Sequence, residues 1–345
     1  MACRQIWCLK FCSGSEREGA QMASEVSVRD NRIEVFRCLM MFGICLLHAI
    51  TQGGHIVRWA DNALHTCVVG FVVISGWFGI KFSWGKVFRI VALTAWCALV
   101  VSTMFLLRDQ EPSWGVWWHR VMYSFKSWWF VWAYVFLMML APLVNSAVAS
   151  LGKDVKTNRD VLIPFVALVF GWGYLSMLPG VKNYVPITAG LTAYSGITLL
   201  GVYVIARVVR IQGLLEKISQ RIWLLIAAAM LVVTTAGFYK YNSPFSLVQA
   251  LAWFALIKGA RIPRWVCGSA AFYAPSMFAV YMYHSSGDGL SFLRTVESGL
   301  IDSMGLNTVV CHIVVAVGIF AFGVLLDMPR RFFLWCVMRW RRRDV

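Results

Sequence analysis

An arginine and a histidine lie within one apolar stretch near the start of the chain. Arg37 and His48 are separated by ten residues, none of them charged. At about 100° and 1.5 Å per residue, eleven helical steps give about 1100° and roughly 16 Å of rise, so both side chains lie on one helix face. Arg37 lies about a turn from the boundary and can snorkel, and a lone histidine is explained by an interhelical hydrogen bond. The shared face favours a functional pair over packing, because ionisable groups inside a bilayer are costly.

Two further groups of residues can do chemistry. Lys86 and Arg89 are three residues apart near the start of a predicted helix, where they suit either phosphate binding or anchoring at the inner membrane surface. Near the other end of the chain, Ser276, Tyr281 and His284 lie in SMFAVYMYH. A Tyr/His pair at i and i+3 can orient a hydroxyl substrate or a second imidazole, or form part of an aromatic interfacial girdle.

The elements that position these residues are predicted to be membrane helices. The 345 residues are 59% hydrophobic and only 14% charged, and apolar runs long enough to cross a bilayer recur along the chain. We predict an all-α polytopic membrane protein with about ten spans. They lie at about 33–51, 64–81, 87–107, 127–149, 161–178, 186–206, 221–238, 244–258, 266–283 and 306–327.

The distribution of basic residues predicts the orientation. With the N-terminus inside, 24 of the 32 Lys and Arg residues fall in cytoplasmic segments, seven fall outside and Arg37 lies within a span. This bias predicts that both termini are cytoplasmic. The net charge of +16 is therefore explained by topology and by anionic lipid headgroups, and we expect no nucleic-acid partner.

The chain divides into three predicted parts. Residues 1–30 form a mobile cytoplasmic leader, 31–329 the transmembrane domain and 330–345 a basic cytoplasmic tail. Six of the ten cysteines lie in apolar runs and no CxxC pair occurs, so we expect small buried thiols and no metal centre. Phosphate-loop, HExxH, GxSxG and GxGxxG motifs are absent from the sequence, which excludes the chemistries that they serve.

An ordered set of segments resembles the acyltransferase-3 family of integral-membrane acyltransferases. NRIEVFRCLMMFGICLLH supplies the family's Arg, ten residues and His, with Glu34 before them where an Asp is common. FVVISGWF is similar to the second-span Ser-Gly segment, and KVFRI to the R-x-x-R element with Lys86 replacing the first arginine. WWFVWAYVFLMMLAPLVN is similar to the fourth span and SMFAVYMYH to the late Ser-Phe-Tyr-His segment. The resemblance covers about 33–327.

This resemblance implies a membrane enzyme that moves an acyl group, most commonly acetyl, from acyl-CoA to a hydroxyl of a cell-envelope sugar or polysaccharide. It implies His48, Arg37 and Glu34 as catalytic residues, Lys86 and Arg89 at the donor nucleotide, and Ser276, Tyr281 and His284 on the acceptor side. His48 is expected to act as a general base or to be transiently acylated. The expected location is the cytoplasmic membrane, with the lipid bilayer, acyl-CoA and a glycan or lipid-linked sugar as partners.

The alternative is a membrane transporter of a small anionic solute, with Arg37 and His48 lining its pathway. The sequence shows no internal repeats and no inverted pair of interrupted helices of the kind that many transporters have. That absence favours the enzyme and leaves the transporter as the second hypothesis.

Overall fold

The computed structural model describes residues 30–52, 57–108, 113–151, 155–172, 196–237, 241 and 243–341. This part of the chain folds into helices without a β-strand, so the all-α prediction is confirmed. The helices are α1 (Asn31–Gln52), α2 (Arg58–Leu64), α3 (Thr66–Phe78), α4 (Trp84–Arg108), α5 (Trp114–Ser127), α6 (Trp129–Leu151), α7 (Val155–Val166), α8 (Gly196–Ile211), α9 (Leu214–Lys217), α10 (Gln220–Thr235), α11 (Pro244–Gly259), α12 (Arg264–Tyr273), α13 (Met277–His284), α14 (Gly287–Met304) and α15 (Thr308–Arg341). A π-helical turn, Ala167–Trp172, follows α7, and a 3-10 turn, Ala274–Ser276, joins α12 to α13.

Local sequence signals explain several helix ends. Ser243 accepts a hydrogen bond from the Phe245 N–H at 3.2 Å, with Pro244 at the first helical position of α11. Ser286 caps α14 in the same way through the Gly289 N–H at 3.0 Å. Each hydroxyl satisfies an amide that has no partner within its own helix. At its other end α14 terminates at Gly305, which adopts the left-handed conformation with φ of 61° that glycine tolerates best.

Helix α1 lies at the centre of the bundle. It packs against α3 and, on its other sides, against α11 to α15. In the most apolar 18-residue stretch of α1, 67% of the residues are buried inside the protein, whereas in that of α4 only 28% are buried. The apolar side chains of α1 therefore contact mainly other helices, and the helix that bears Arg37 and His48 is surrounded by protein.

The predicted spans coincide with helices wherever the structure describes them. In the part of the chain that the structure describes, five helical segments are long and apolar enough to cross a membrane, and α10 and α11 are shorter apolar helices. Parts of the fifth and sixth predicted spans, 173–178 and 186–195, lie outside the described residues, as do 1–29 of the predicted leader and 342–345 of the predicted tail. A polytopic helical membrane protein is supported, and the number of ten and the side of each terminus stay predictions.

Three features differ from the sequence expectation in detail. Helices α5 and α14 lie in segments that we expected to be outer loops, because both are amphipathic and too polar for a span. The predicted ninth span consists of α12, the 3-10 turn and α13, with Pro275 at the break. Helix α15 continues to Arg341, so the basic residues of the predicted tail begin within a helix.

Candidate functional site

The continuous helix α1 places Arg37 and His48 as the spacing predicts. Both residues lie within Asn31–Gln52, which contains no proline and no break. Their stagger along the helix is therefore roughly 16 Å. Close packing of α1 on α3 leaves no room for a side chain at Gly43, because a Cβ there would lie 2.3 Å from the sulfur of Cys67.

The C-terminal end of α1 faces a second histidine. His48 and His284 have ring centroids 4.9 Å apart, with an interplanar angle of 54°. His284 is the last residue of α13 and is 6% exposed. Nδ1 of His48 and Nε2 of His284 are buried and form no hydrogen bond with the described residues. The structure thus brings together two imidazoles that lie far apart in the sequence.

One hydrogen bond assigns the tautomer of His284. Its Nδ1 lies 2.6 Å from the carbonyl oxygen of Val280. A carbonyl oxygen only accepts, so Nδ1 carries the hydrogen and Nε2 of the neutral ring has a lone pair. His284 therefore offers an acceptor nitrogen beside His48.

His48 lines a cavity of about 240 Å³, and His284 contacts His48 beside it. His48, Tyr281 and Ser285 provide polar groups in the cavity wall, and the rings of Trp129 and Tyr241, which also line it, lie 5.4 Å apart at an angle of 35°. Much of the remaining wall is apolar and includes Met41, Ile44, Phe130 and Leu290. An apolar cavity with a few convergent polar groups is typical of a small-molecule site.

The candidate residues of SMFAVYMYH lie in two different parts of the structure. The Tyr281 ring lies edge-on to the ring of His284, at 6.3 Å and 88°, and lines the cavity. Ser276 lies at the opposite end of α13, where its hydroxyl accepts a 3.3 Å hydrogen bond from Nη1 of Arg331. The eight residues of α13 separate Ser276 from His284, so the structure does not place these two side chains together.

Near the N-terminal end of α1, Arg37 forms an ion pair with Glu34 one turn earlier. The Glu34 side chain is 5% exposed and that of Arg37 27% exposed. A guanidinium with a carboxylate partner is far cheaper to bury than an unpaired one. Arg37 is thus held in a defined orientation, with part of its side chain accessible.

Polar contacts beside this end of α1 join the segments that resemble the second and fourth family spans. The Ser75 hydroxyl lies 3.3 Å from the Tyr134 hydroxyl, which links α3 to α6. The Tyr203 hydroxyl donates to Oδ1 of Asn145 at 2.7 Å and accepts from the Ile80 N–H at 2.9 Å. Nδ2 of Asn145 donates to the Ile80 carbonyl at 2.9 Å. These bonds fix the end of α3 against α6 and α8.

Lys86 and Arg89 are exposed at the start of α4. The Lys86 ammonium donates a 2.6 Å hydrogen bond to the carbonyl of Lys81 in the preceding loop. Neither residue lines the cavity with His48. The sequence-predicted donor residues and the histidine pair thus belong to different parts of the structure.

Sequence reasoning missed another buried pair. Nε2 of His312 lies 2.6 Å from Oε1 of Glu297, and their side chains are 2% and 0% exposed. The pair joins α14 to α15 outside the cavity. The sequence showed an ionisable residue in each of two helices, Glu297 in amphipathic α14 and His312 in apolar α15. It did not show that these two side chains are in contact.

The fold and the site define a helical membrane protein in which His48 lines a cavity and faces a second histidine, His284. A family model described as an acyltransferase domain, of the acyltransferase-3 type, matches residues 30–328, which is most of the chain. The chain therefore belongs to the acyltransferase-3 family and is a membrane acyltransferase. Comparison with curated proteins and with solved structures gave no match.

Proposed function

We propose that the protein transfers an acyl group, acetyl in the simplest case, from cytoplasmic acyl-CoA to a hydroxyl of a cell-envelope sugar or polysaccharide. The observation that supports this proposal best is the imidazole of His48, which lines an aromatic-walled cavity, faces the imidazole of His284 and lies on the same helix as Arg37. Family membership supplies the reaction class. The cytoplasmic membrane is the proposed location, because a donor from the cytoplasm and an acceptor beyond the membrane then meet within one bundle.

His48 is the proposed general base. Its unprotonated ring nitrogen takes the proton of the acceptor hydroxyl as the hydroxyl oxygen attacks the thioester carbonyl. The carbon–sulfur bond then breaks, the imidazolium returns the proton to the departing thiolate, and an O-ester and a free thiol result. This sequence needs no oxidant and no metal. Transient acylation of His48 is the variant of the scheme in which the acyl group moves in two steps.

His284 is the proposed partner that orients the base. Nδ1 of His284 is committed to the carbonyl of Val280 at 2.6 Å, so its Nε2 can accept the Nδ1–H of His48. That bond leaves Nε2 of His48 as the basic nitrogen towards the substrate. In many catalytic units a further group fixes the tautomer of the general base in this way. The present ring separation of 4.9 Å fits a contact that tightens when substrate is bound.

The donor is proposed to enter from the inner side. Lys86 and Arg89 contact its phosphate groups, while Arg37, oriented by Glu34, binds the donor deeper in the bundle. The roughly 16 Å between Arg37 and His48 suits an extended pantetheine arm along α1. A Lys86→Ala, Arg89→Ala double variant is expected to raise the KM for acetyl-CoA while leaving kcat nearly unchanged, with Arg221→Ala as a matched cytoplasmic control.

The acceptor is proposed to approach from the outer side. Tyr281 lines the cavity and contacts the ring of His284, and the aromatic rings of Trp129 and Tyr241 can stack on a sugar ring. Ser276 does not line the cavity. It accepts a hydrogen bond from Arg331, which fixes the start of α13, the helix that bears Tyr281 and His284. Its role on the acceptor side is thus one of positioning.

One assay tests the proposed reaction against the transporter. Purified full-length protein in liposomes is supplied with acetyl-CoA on the inner side and an envelope glycan on the other, and both free thiol and glycan O-acetyl ester are measured. Equal amounts of thiol and ester support the acyltransferase. Movement of an anionic solute across the membrane with intact thioester would refute the proposal.

A further inference from the structure

A buried tryptophan near the end of α3 is contacted by two cations from different helices. The Arg210 guanidinium carbon lies 4.6 Å from the centroid of the Trp77 ring, and the Lys258 nitrogen lies 5.1 Å from it. Trp77 is 3% exposed. Arg210 is near the end of α8 and Lys258 near the end of α11. Cation–π contacts of this kind hold positive charges in place without neutralising them.

A third cation lies directly beside them. Arg207 donates through Nη1 to the carbonyl of Trp77 at 3.5 Å, and its Nε is buried without a hydrogen bond to the described residues. Its guanidinium packs against Gly79, which has φ of 73°, and a Cβ there would lie 2.9 Å from the guanidinium carbon. We refer to Arg207, Arg210 and Lys258 as the Trp77 basic cluster.

Nearby carboxylates offset only part of this charge. Oε1 of Glu216 lies 2.7 Å from the Lys258 nitrogen and 3.9 Å from Nη1 of Arg210. The hydrogen bond from Lys258 lowers the pKa of Glu216, so this carboxylate is ionised. Asp30 also lies within electrostatic reach of Lys258, but its two oxygens are each 2.8 Å from nitrogens of Arg32. Among the described residues, Arg210 and Lys258 share the carboxylate of Glu216, and Arg207 adds a third positive charge, which leaves an excess of positive charge.

The cluster is linked to both proposed donor contacts, to Arg37 through ring contacts and to Lys86 through the chain. The Trp77 ring packs on Phe254 at 5.2 Å, and Phe254 packs on Phe36 of α1 at 5.3 Å, so aromatic contacts lead to the residue before Arg37. In the other direction, the chain runs from Gly79 through the short loop to Lys86. A donor nucleotide with two separate phosphate groups can thus contact both the cations around Trp77 and the pair Lys86 and Arg89.

We infer that the Trp77 basic cluster is a phosphate-binding site that takes a phosphate group of the donor nucleotide. This inference rests on the proposed function for the identity of its occupant. Guanidinium and ammonium groups bind phosphate by charge-assisted hydrogen bonds, and Nε of Arg207 forms no hydrogen bond with the described residues. An anionic lipid headgroup presents the same chemistry, so the experiment must separate these two sources.

The test is CoA binding by full-length protein in nanodiscs of neutral phosphatidylcholine. Arg210→Gln, Lys258→Gln and the double variant are compared with Lys217→Gln and Arg221→Gln, which remove exposed charges from the same side. We expect each cluster variant to weaken CoA binding about tenfold, as for the loss of one charge-assisted hydrogen bond, and the controls to stay within about twofold. Arg210→Gln is the safeguard against misfolding, because the Arg210 side chain is 49% exposed.

Two further arms identify the source of the phosphate. Dephospho-CoA, which lacks the ribose phosphate, shows which phosphate is bound: a smaller effect of the variants on this ligand assigns the ribose phosphate, and an equal effect assigns the diphosphate. Nanodiscs with phosphatidylglycerol test the lipid. If the variants bind CoA like wild type and lose only the stabilisation by anionic lipid, the nucleotide assignment is overturned; unchanged CoA binding and unchanged lipid response would overturn the phosphate site altogether.

Binding is measured here without turnover, so the result is separate from the proposed reaction. Wild-type protein that binds CoA through the cluster but transfers no acyl group would refute the proposed function and leave the phosphate site intact. If the enzyme is active and the cluster variants change neither its CoA affinity nor its KM, the phosphate site is refuted and the proposed function stands.

Discussion

At Gly76, α3 and α8 are in close contact, and Gly76→Ala is expected to force them apart. A Cβ at this position would lie 2.5 Å from the carbonyl oxygen of Tyr203 and 2.7 Å from the Cβ of Ala206. Both obstacles are backbone or Cβ atoms, so no side-chain rotation relieves the contact. Because ordinary carbon contacts are about 3.5–4.0 Å, the helices must move apart by about 1 Å.

That movement acts on the hydrogen bonds of the same region. The Tyr203 hydroxyl bridges the Ile80 N–H and Asn145 at 2.9 and 2.7 Å. Overpacking costs about 1–3 kcal/mol, and a weakened buried hydrogen bond adds about 1 kcal/mol. We therefore expect Gly76→Ala to lower the free energy of unfolding by about 2–4 kcal/mol and the Tm by roughly 4–8 °C. The donor KM should also rise, because Ser75 and Trp77 flank the substituted residue.

Thermal unfolding of the purified protein in detergent, with an acyl-transfer assay on the same samples, measures both effects. Gly318→Ala is the matched control, since Gly318 is also within a helix and a Cβ there meets no atom within 4 Å. Alanine is the better helix former by about 1 kcal/mol, so the control is expected to be neutral or slightly stabilising. A Tm for Gly76→Ala equal to or above that of Gly318→Ala would refute the close packing of α3 on α8.

Substitutions at three other positions have defined outcomes. Tyr203→Phe removes the hydrogen-bond partner of the part-buried Ile80 N–H and Asn145 Oδ1 and should cost about 1–3 kcal/mol in thermal unfolding, while exposed Tyr123→Phe costs nothing measurable. Glu297→Ala leaves His312 without its carboxylate and should cost about 3–5 kcal/mol, and Glu297→Gln much less; equal losses would argue against an ionic pair. His284→Leu should lower kcat about 100-fold, and His284→Gln should recover part of it by accepting from the facing imidazole; no difference between them would exclude the orienting role.

Features within one helix were predictable from the sequence. The stagger of Arg37 and His48 follows from helical geometry alone, because α1 is continuous between them. The long apolar helices were predictable for a similar reason, since the length of an apolar run is read directly from the chain.

Contacts between distant helices were not predictable in this way. His48 faces His284 because α13 begins after the break at Pro275 and packs on α1, and neither spacing nor composition specifies that packing. The pairing of Glu297 with His312 likewise depends on how α14 folds back on α15. The Trp77 basic cluster could not be predicted from the sequence, where its cations match the pattern of residues that anchor helices at the inner membrane surface. Only the packing of the ends of α3, α8 and α11 brings them together.

The central claim is that the imidazole of His48 acts on the reacting atoms. The most direct measurement is acyl transfer from radiolabelled acetyl-CoA by purified His48→Ala, alongside His119→Ala, which removes an exposed imidazole from α5. We expect His48→Ala to lower kcat by at least about 100-fold with unchanged CoA binding, and His119→Ala to match wild type. Wild-type turnover by a folded His48→Ala protein would contradict the account.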